Sequence, residues 1–313
     1  MKILIAGGAG FIGTNLTGFL VNKYPKYQIT LVDKKEQTTL TDLNPLLVRK
    51  QIEYINCSIT DKTEIQTIIK NVKPDILLNC VYPTTNESIV ETNIMGNYHL
   101  LEAARSIDSL KQFIYISGSE VYGDAITPEG NIRNASELDA IRPTNQRAAT
   151  QAAADFLTST YHQEFNLPTM VLRPTTIYGP YESPHRLLSQ LITSAIKNEG
   201  IPIYGDGTHV RNWLYVSDFV DLLDKIFHTK KPVYSTFNVS SDANNTILET
   251  TERILTIINK PKELITFTDS IKPAYYRKVI DSTTVRTEFG WVPKTDLNTG
   301  LKITIEWHQK QAI

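Results

Sequence analysis

Cysteine is nearly absent: the 313 residues contain two, Cys57 and Cys80. Two thiols in or beside apolar runs build no disulfide framework and read as reduced core residues of a cytoplasmic protein. An excess of one charge is lacking too. The 32 Lys and Arg against 33 Asp and Glu leave a formal net charge of −1, with no block of like charge. That argues against nucleic acid or an anionic membrane as partner. No apolar stretch is long enough to span a bilayer, and the N-terminal apolar run is too short and glycine-broken for a secretory signal. Internal repeats and low-complexity segments are missing, and no metal site is expected. The length suits one large or two modest domains with a well-buried core.

What is present begins at once. Ile3 to Ala6 is a short apolar run leading into Gly7-x-x-Gly10-x-x-Gly13, then an amphipathic segment with Phe11, Ile12, Leu16, Phe19 and Leu20 as its apolar positions. The pattern predicts a buried strand, a tight turn and a helix N-terminus that receives a pyrophosphate. The alternative is a glycine turn that only packs strand on helix. Asp33 ends a second apolar strand, Ile29 to Val32, where a carboxylate holds a ribose 2′-OH and repels a 2′-phosphate. NAD is therefore expected over NADP, although Lys34 and Lys35 follow directly and would suit a phosphate.

Strands are expected near 2–6, 29–32, 52–56, 75–81, 112–117 and 169–173, and helices near 11–22, 61–70, 88–106 and 146–163. This alternation predicts an α/β fold, a Rossmann-like doubly wound parallel sheet with helices on both faces. Past Tyr178-Gly179-Pro180 the chain is more irregular, with helices near 185–198, 247–259 and 282–289. Residues 1–178 are expected to form the dinucleotide domain, and 179–211 with 236–313 a smaller α/β substrate-binding domain. A segment near 212–235 returns to the first domain, because Tyr215-Val216-Ser217-Asp218 reads as a strand end and a capped helix.

The motifs resemble the extended short-chain dehydrogenase/reductase (epimerase/dehydratase) family that modifies nucleotide sugars, nearly end to end. They are the glycine loop, Asn93-Ile94-Met95-Gly96, Tyr115 to Gly123, and Leu172-Arg173-Pro174. Further on come Tyr178 to Tyr181, Ile201 to Gly207, Arg211 with Trp213 to Val216, and Phe289 to Lys294 with Gly300-Leu301. Several of these look most like the dTDP-glucose 4,6-dehydratase branch. The resemblance implies NAD held by Gly7, Gly10, Phe11, Ile12, Gly13, Asp33 and Lys34, with Ser58, Ile59, Cys80, Val81, Ser117 and Gln151 around it. It implies a nucleotide-diphosphate sugar held by Tyr82, Thr84, Thr176, Arg186, Tyr204, Arg211 and Arg277. It also implies a homodimer through the helices near 93–106 and 146–163.

One part of the pattern is broken. Such enzymes oxidise a sugar hydroxyl with a Tyr-x-x-x-Lys pair on one helix and a Ser or Thr before it. Here the corresponding positions hold Arg147, Gln151 and Gly118. Arginine is no base near neutral pH, and glutamine carries no charge to tune a neighbour. Glu120 and Ser119 stand where relatives carry groups that act beside the sugar. Glu120 would move a proton at a carbon next to a carbonyl, or only hold its loop. Tyr82 or Thr84 would be a substitute donor, or a packing residue. Arg147 would pair with Glu120, a substrate carboxylate or a cofactor phosphate, or face solvent. Arg186, Arg211 and Arg277 suit a diphosphate, against a plain surface role. Two readings follow: a nucleotide-sugar epimerase or dehydratase with a rearranged acid/base set, or a catalytically inactive homologue that binds NAD or a nucleotide sugar as a partner or regulatory subunit.

Overall fold

The computed structural model describes residues 1–83, 88–124, 134–229, 234–269 and 277–311. Its strands in chain order are β1 (Lys2–Ala6), β2 (Gln28–Asp33), β3 (Glu53–Asn56), β4 (Ile76–Asn79), β5 (Gln112–Ile116), β6 (Thr169–Pro174), β7 (Thr176–Tyr178), β8 (Ile201–Tyr204), β9 (Val210–Tyr215), β10 (Thr236–Val239), β11 (Asn244–Thr246), β12 (Ile265–Thr268) and β13 (Arg277–Lys278). The helices are α1 (Phe11–Lys23), α2 (Asn44–Val48), α3 (Lys62–Val72), α4 (Asn97–Ala104), α5 (Gln146–Phe165), α6 (Leu187–Lys197), α7 (Val216–Phe227), α8 (Ile247–Ile258), α9 (Thr283–Phe289) and α10 (Leu297–Gln311).

The main sheet runs β10-β6-β5-β4-β1-β2-β3, all parallel. Its order reverses between β1 and β4, and ligands of such sheets bind at the carboxyl ends of the strands at that point. Alternate residues of each strand feed opposite faces. Ile3, Ile5, Leu31, Leu78 and Ile114 join Leu16 and Leu20 of α1 and Phe219, Leu222 and Leu223 of α7 on one side. Leu4, Ala6, Val32, Leu77, Phe113 and Val171 pack with α3, α4 and α5 on the other. Strands buried on both faces explain the unbroken apolar runs in the sequence.

The C-terminal half supplies a sheet of β11-β9-β13 with β7 against β9, and the pair β8 with β12. β9 ends at Tyr215 and α7 follows immediately, with Phe219, Leu222 and Leu223 packed in the same cluster as Ile3 and Ile5 of β1. The side-chain cap expected for this helix is absent. Tyr215 is the N-cap and no side chain caps the helix. The Asp218 carboxylate instead accepts from the backbone N–H groups of Lys294 and Thr295, at 3.1 and 3.0 Å, fastening the C-terminal segment to α7. The segment before α4 is a π-helical turn, Glu91–Gly96, rather than a plain continuation of that helix.

Candidate functional site

The glycine loop lies at the carboxyl end of β1. Gly7 has φ +80°, and a Cβ there would sit 2.9 Å from the Val81 nitrogen. A Cβ at Gly13 would sit 2.6 Å from the Gly7 carbonyl oxygen. Only glycine closes this turn. Gly10 is the N-cap of α1, and no side chain caps that helix, so its first N–H groups face the loop, with Phe11 and Ile12 half-buried in the first turn. Such a helix end suits an anion.

Asp33 is fixed beside the loop. It accepts from the Ala9 N–H at 3.1 Å and from the Lys35 N–H at 3.2 Å. Lys35, not the exposed Lys34, reaches back: its Nζ donates to the Ala9 carbonyl at 2.6 Å. Ser58 is bonded to Thr60 at 2.8 Å. Ile59 is buried, and its carbonyl meets His99 Nδ1 at 3.2 Å. Cys80 gives its thiol to the Ala6 carbonyl at 3.2 Å, and burial pushes its pKa up to about 12. Burial likewise raises Cys57 to about 11. Neither thiol is poised to react at neutral pH.

Past β5 come Ser117, Gly118 and a 3-10 turn, Ser119–Tyr122. The facing helix α5 opens on Asn145, whose side chain accepts from the Ala148 N–H at 2.9 Å. That cap puts Arg147 and Gln151 one turn apart on one face. A Cβ at Gly118 would lie 3.5 Å from Gln151 Oε1 and 3.6 Å from the Glu120 carboxyl carbon. Ser117 Oγ, Ser119 Oγ and Gln151 Oε1 are buried with no hydrogen-bond partner among the described residues. Buried polar groups ordinarily find partners; Ser117 and Ser119 flank Gly118, which lies against Gln151.

Glu120 is the centre of the constellation. Its Oε2 lies 2.7 Å from Lys278 Nζ, with side chains 15 % and 13 % exposed. Its Oε1 accepts from Tyr82 OH at 3.3 Å. Burial pushes the Glu120 pKa up, but Lys278, Arg186 and Arg147 together hold it below the usual carboxylate value. Burial lowers that of Lys278, and Glu120 opposes the fall. Burial, then the Glu120 charge, raises Tyr82 to about 12, so Tyr82 stays a donor. Arg147 does not bond Glu120 directly; it donates to the Pro83 carbonyl and lies 4.9 Å from the centre of the Tyr82 ring. Glu120, Asn145, Gln146 and Arg147 line a cavity of about 490 Å³.

The expected substrate residues divide. Arg186, at the N-terminus of α6, lies 5.3 Å from the Tyr82 ring centre and is paired with buried Glu182 at 3.4 Å. Burial raises Glu182 to about 7, against the pull of Arg186. Arg211 is in register with Lys278 across β9 and β13, and Arg277 with Val210. Arg277 Nε is buried with no partner among the described residues. Thr176 opens β7 opposite Trp213, and Tyr204 closes β8 opposite Thr268. Thr84 lies outside the described residues. Sequence reasoning missed Lys278 and Glu182. Lys278 follows Arg277 directly, so its only signal was adjacency to a residue already singled out.

Comparison with known proteins places the chain in a family. A family model described as the NAD dependent epimerase/dehydratase family matches residues 3–240. The dTDP-glucose 4,6-dehydratase of Salmonella typhimurium is 30 % identical over 338 residues, covering 98 % of this chain and 92 % of that protein. The low-salt glycan biosynthesis protein Agl12 of Haloferax volcanii is 29 % identical over 315 residues, covering 98 % of each. The chain spans about half the length (47 %) of a trifunctional dehydratase/epimerase/reductase of Arabidopsis thaliana, at 28 % identity over 98 % of this chain. Among solved structures, the dTDP-glucose 4,6-dehydratase of Bacillus anthracis in complex with NAD superposes with a TM-score of 0.91 at 28 % identity, covering 99 % of this chain and 97 % of that one.

Proposed function

The chain belongs to the NAD dependent epimerase/dehydratase family, and from that membership we propose that it binds NAD and a nucleotide-diphosphate sugar and modifies the sugar through Glu120. The residues present fit the cofactor. The pyrophosphate lies on the Gly7–Gly13 loop and the start of α1, the adenosine ribose on Asp33, and the remainder on Ser117, Ser119 and Gln151, whose buried atoms find no partner among the described residues. NAD, when bound, takes up and returns hydride. The diphosphate of the sugar falls to Arg211 and to Arg277, and the buried Arg277 Nε finds no acceptor among the described residues. The observation that carries the enzymatic reading is the Glu120–Lys278 pair. A carboxylate kept ionised by a buried ammonium, on the wall of a cavity, is arranged to take a proton.

In this reading the chain pairs with a second copy through α4 and α5. Met95 in the π-helical turn before α4 and Phe156 of α5, 43 % and 57 % exposed, support it. Arg147, Gln151 and Gly118 stand in place of the usual Tyr, Lys and Ser/Thr, so the acid/base set is rearranged. Mass spectrometry of the native protein for co-purifying NAD or nucleotide sugar, with calorimetry of UDP- and dTDP-glucose, tests the proposal. Binding without turnover of any nucleotide sugar would favour the non-catalytic homologue.

A further inference from the structure

A second buried acid, Glu182, stands behind Arg186. It sits in the loop between β7 and α6, and that loop is tied down. Asn15 of α1 donates from Nδ2 to the Pro180 carbonyl at 3.0 Å, and the Glu182 N–H donates to the Gly179 carbonyl at 3.3 Å. The Glu182 side chain is 1 % exposed. Ser189 Oγ donates to its Oε2 at 3.1 Å, and Arg186 Nε to its Oε1 at 3.4 Å. Arg186 is its only ion-pair partner among the described residues. An amide of the same shape would fill this place without the cost of burying a charge. What the acid adds is negative charge, and the charge it meets is that of Arg186.

Arg186 belongs to the Glu120 constellation as well. Its guanidinium carbon lies 5.3 Å from the centre of the Tyr82 ring, and Tyr82 donates its hydroxyl to Glu120 at 3.3 Å. Burial lowers Lys278 of β13, and Arg211 and Arg186 both add to the fall. Glu182 takes the Nε edge of Arg186, and no hydrogen bond joins its Nη groups to a described residue. A guanidinium has donors to spare for an anionic oxygen. We propose that Glu182 is a positioning residue of the sugar-nucleotide site: it holds Arg186 for an anionic oxygen of the ligand, and it takes up a proton when the ligand neutralises that guanidinium. The inference rests on the nucleotide-sugar reading above.

The sign follows from the charges present. Burial pushes Glu182 up to about 7, and Arg186 pulls the other way. The charged or titratable groups that act on Arg186 are Glu182, Tyr82 and Glu120; His185, its neighbour in the chain, is exposed. An anionic oxygen on Arg186 cancels the one charge that favours the ionised acid, so Glu182 rises further and binds a proton. The coupling is reciprocal. A proton on Glu182 leaves Arg186 its full charge and tightens the ligand. Affinity for an anionic ligand therefore rises as pH falls through about 7. Both phosphates of UDP-glucose are esterified, so the ligand lacks the terminal-phosphate titration of this range.

The test is calorimetry of UDP-glucose and dTDP-glucose binding to the full chain with NAD present, repeated in buffers of different ionisation enthalpy. Near neutral pH the heats should report net proton uptake. Kd should tighten about fivefold or more as pH falls from about 8 to about 6. Glu182→Gln imitates the protonated acid. It should bind at the upper pH as tightly as the parent does at the lower, with no uptake, a gain that a merely structural role would not produce. Arg186→Gln should bind more weakly at every pH and show no uptake, because acid and ligand then share no cation. Each variant is first shown to be folded by its thermal melt. His209 and Lys278 both feel Arg211 and titrate beside the same ligand. Uptake that survives in Glu182→Gln belongs to such a group and overturns the inference, as does pH-independent binding by the parent; both results leave the nucleotide-sugar reading standing. Failure of the parent to bind either sugar nucleotide overturns both.

Discussion

Arg173 of β6 grips both carboxylate oxygens of Asp155 on α5, with Nε at 2.7 Å and Nη2 at 3.1 Å. The two side chains are 6 % and 1 % exposed. The same guanidinium reaches Tyr122 OH at 2.6 Å, and that hydroxyl donates to Asn238 at 2.9 Å. One buried cation therefore ties together the turn bearing Glu120, the helix bearing Arg147 and the edge strand β10. Asp155→Ala strands that charge and should cost about 3–5 kcal/mol of stability in urea unfolding. A loss below about 1 kcal/mol would show that the pair does not hold α5.

Gly10→Val should abolish NAD binding. Its Cβ would stand 3.0 Å from the Gly7 carbonyl oxygen, with two branches projecting into the phosphate path. Calorimetry with NAD checks this, and a parallel titration with NADP should show the weaker affinity that the Asp33 carboxylate imposes.

Arg211→Ala and Arg277→Ala should each weaken nucleotide-sugar affinity by about 1.5–3 kcal/mol, the cost of one charge-assisted contact. If calorimetry finds both variants equal to the parent, the diphosphate lies elsewhere.

With UDP-glucose, UDP-galactose or dTDP-glucose no NADH absorbance should develop over hours. The combination Gly118→Ser, Arg147→Tyr and Gln151→Lys should restore a measurable rise, because the new Cβ at 118 meets its neighbours at ordinary distances. A rise already present in the unmodified chain would refute the account of these three positions.

Glu182 sets a pH dependence. Its folded pKa, about 7, lies above its ordinary value near 4.5 because it is buried. The folded state therefore holds the extra proton between those limits. Its contribution to stability is fully present below the lower limit and is lost as pH rises through the upper one. Glu182→Gln should remove that loss, so thermal melts of the variant should gain on the parent between pH 4 and 8, by up to about 3 kcal/mol. A parallel pH trend in both proteins would contradict this.

The layered sheet could be read in advance because its strands are short, apolar and separated by helices of the right period. The glycine loop was legible because turn, strand and helix constrain one another within a few residues. The Glu120–Lys278 pair was not, since its members are 158 positions apart and no local pattern joins β13 to the turn after β5. Asp218 misled for a related reason. An acid in a helical first turn looks like a cap, but its acceptors were taken by backbone from the far end of the chain. Helix α10 was not among the expected helices although Gly300-Leu301 lies within it, and tertiary packing of Leu297, Leu301 and Ile305 places it.

The recruitment of β10 from beyond the substrate segment has a consequence for any shortened form of the chain. A fragment ending at Tyr178 would retain the glycine loop, α5 and six of the strands. It would also bare the outer edge of β6, six residues buried throughout in the whole molecule. A flat apolar edge with open N–H and C=O groups pairs with whatever strand it meets, most readily another copy of itself. Thr236–Val239 thus acts as the sheet's guard rail: four residues made late in synthesis that keep everything made before them from polymerising.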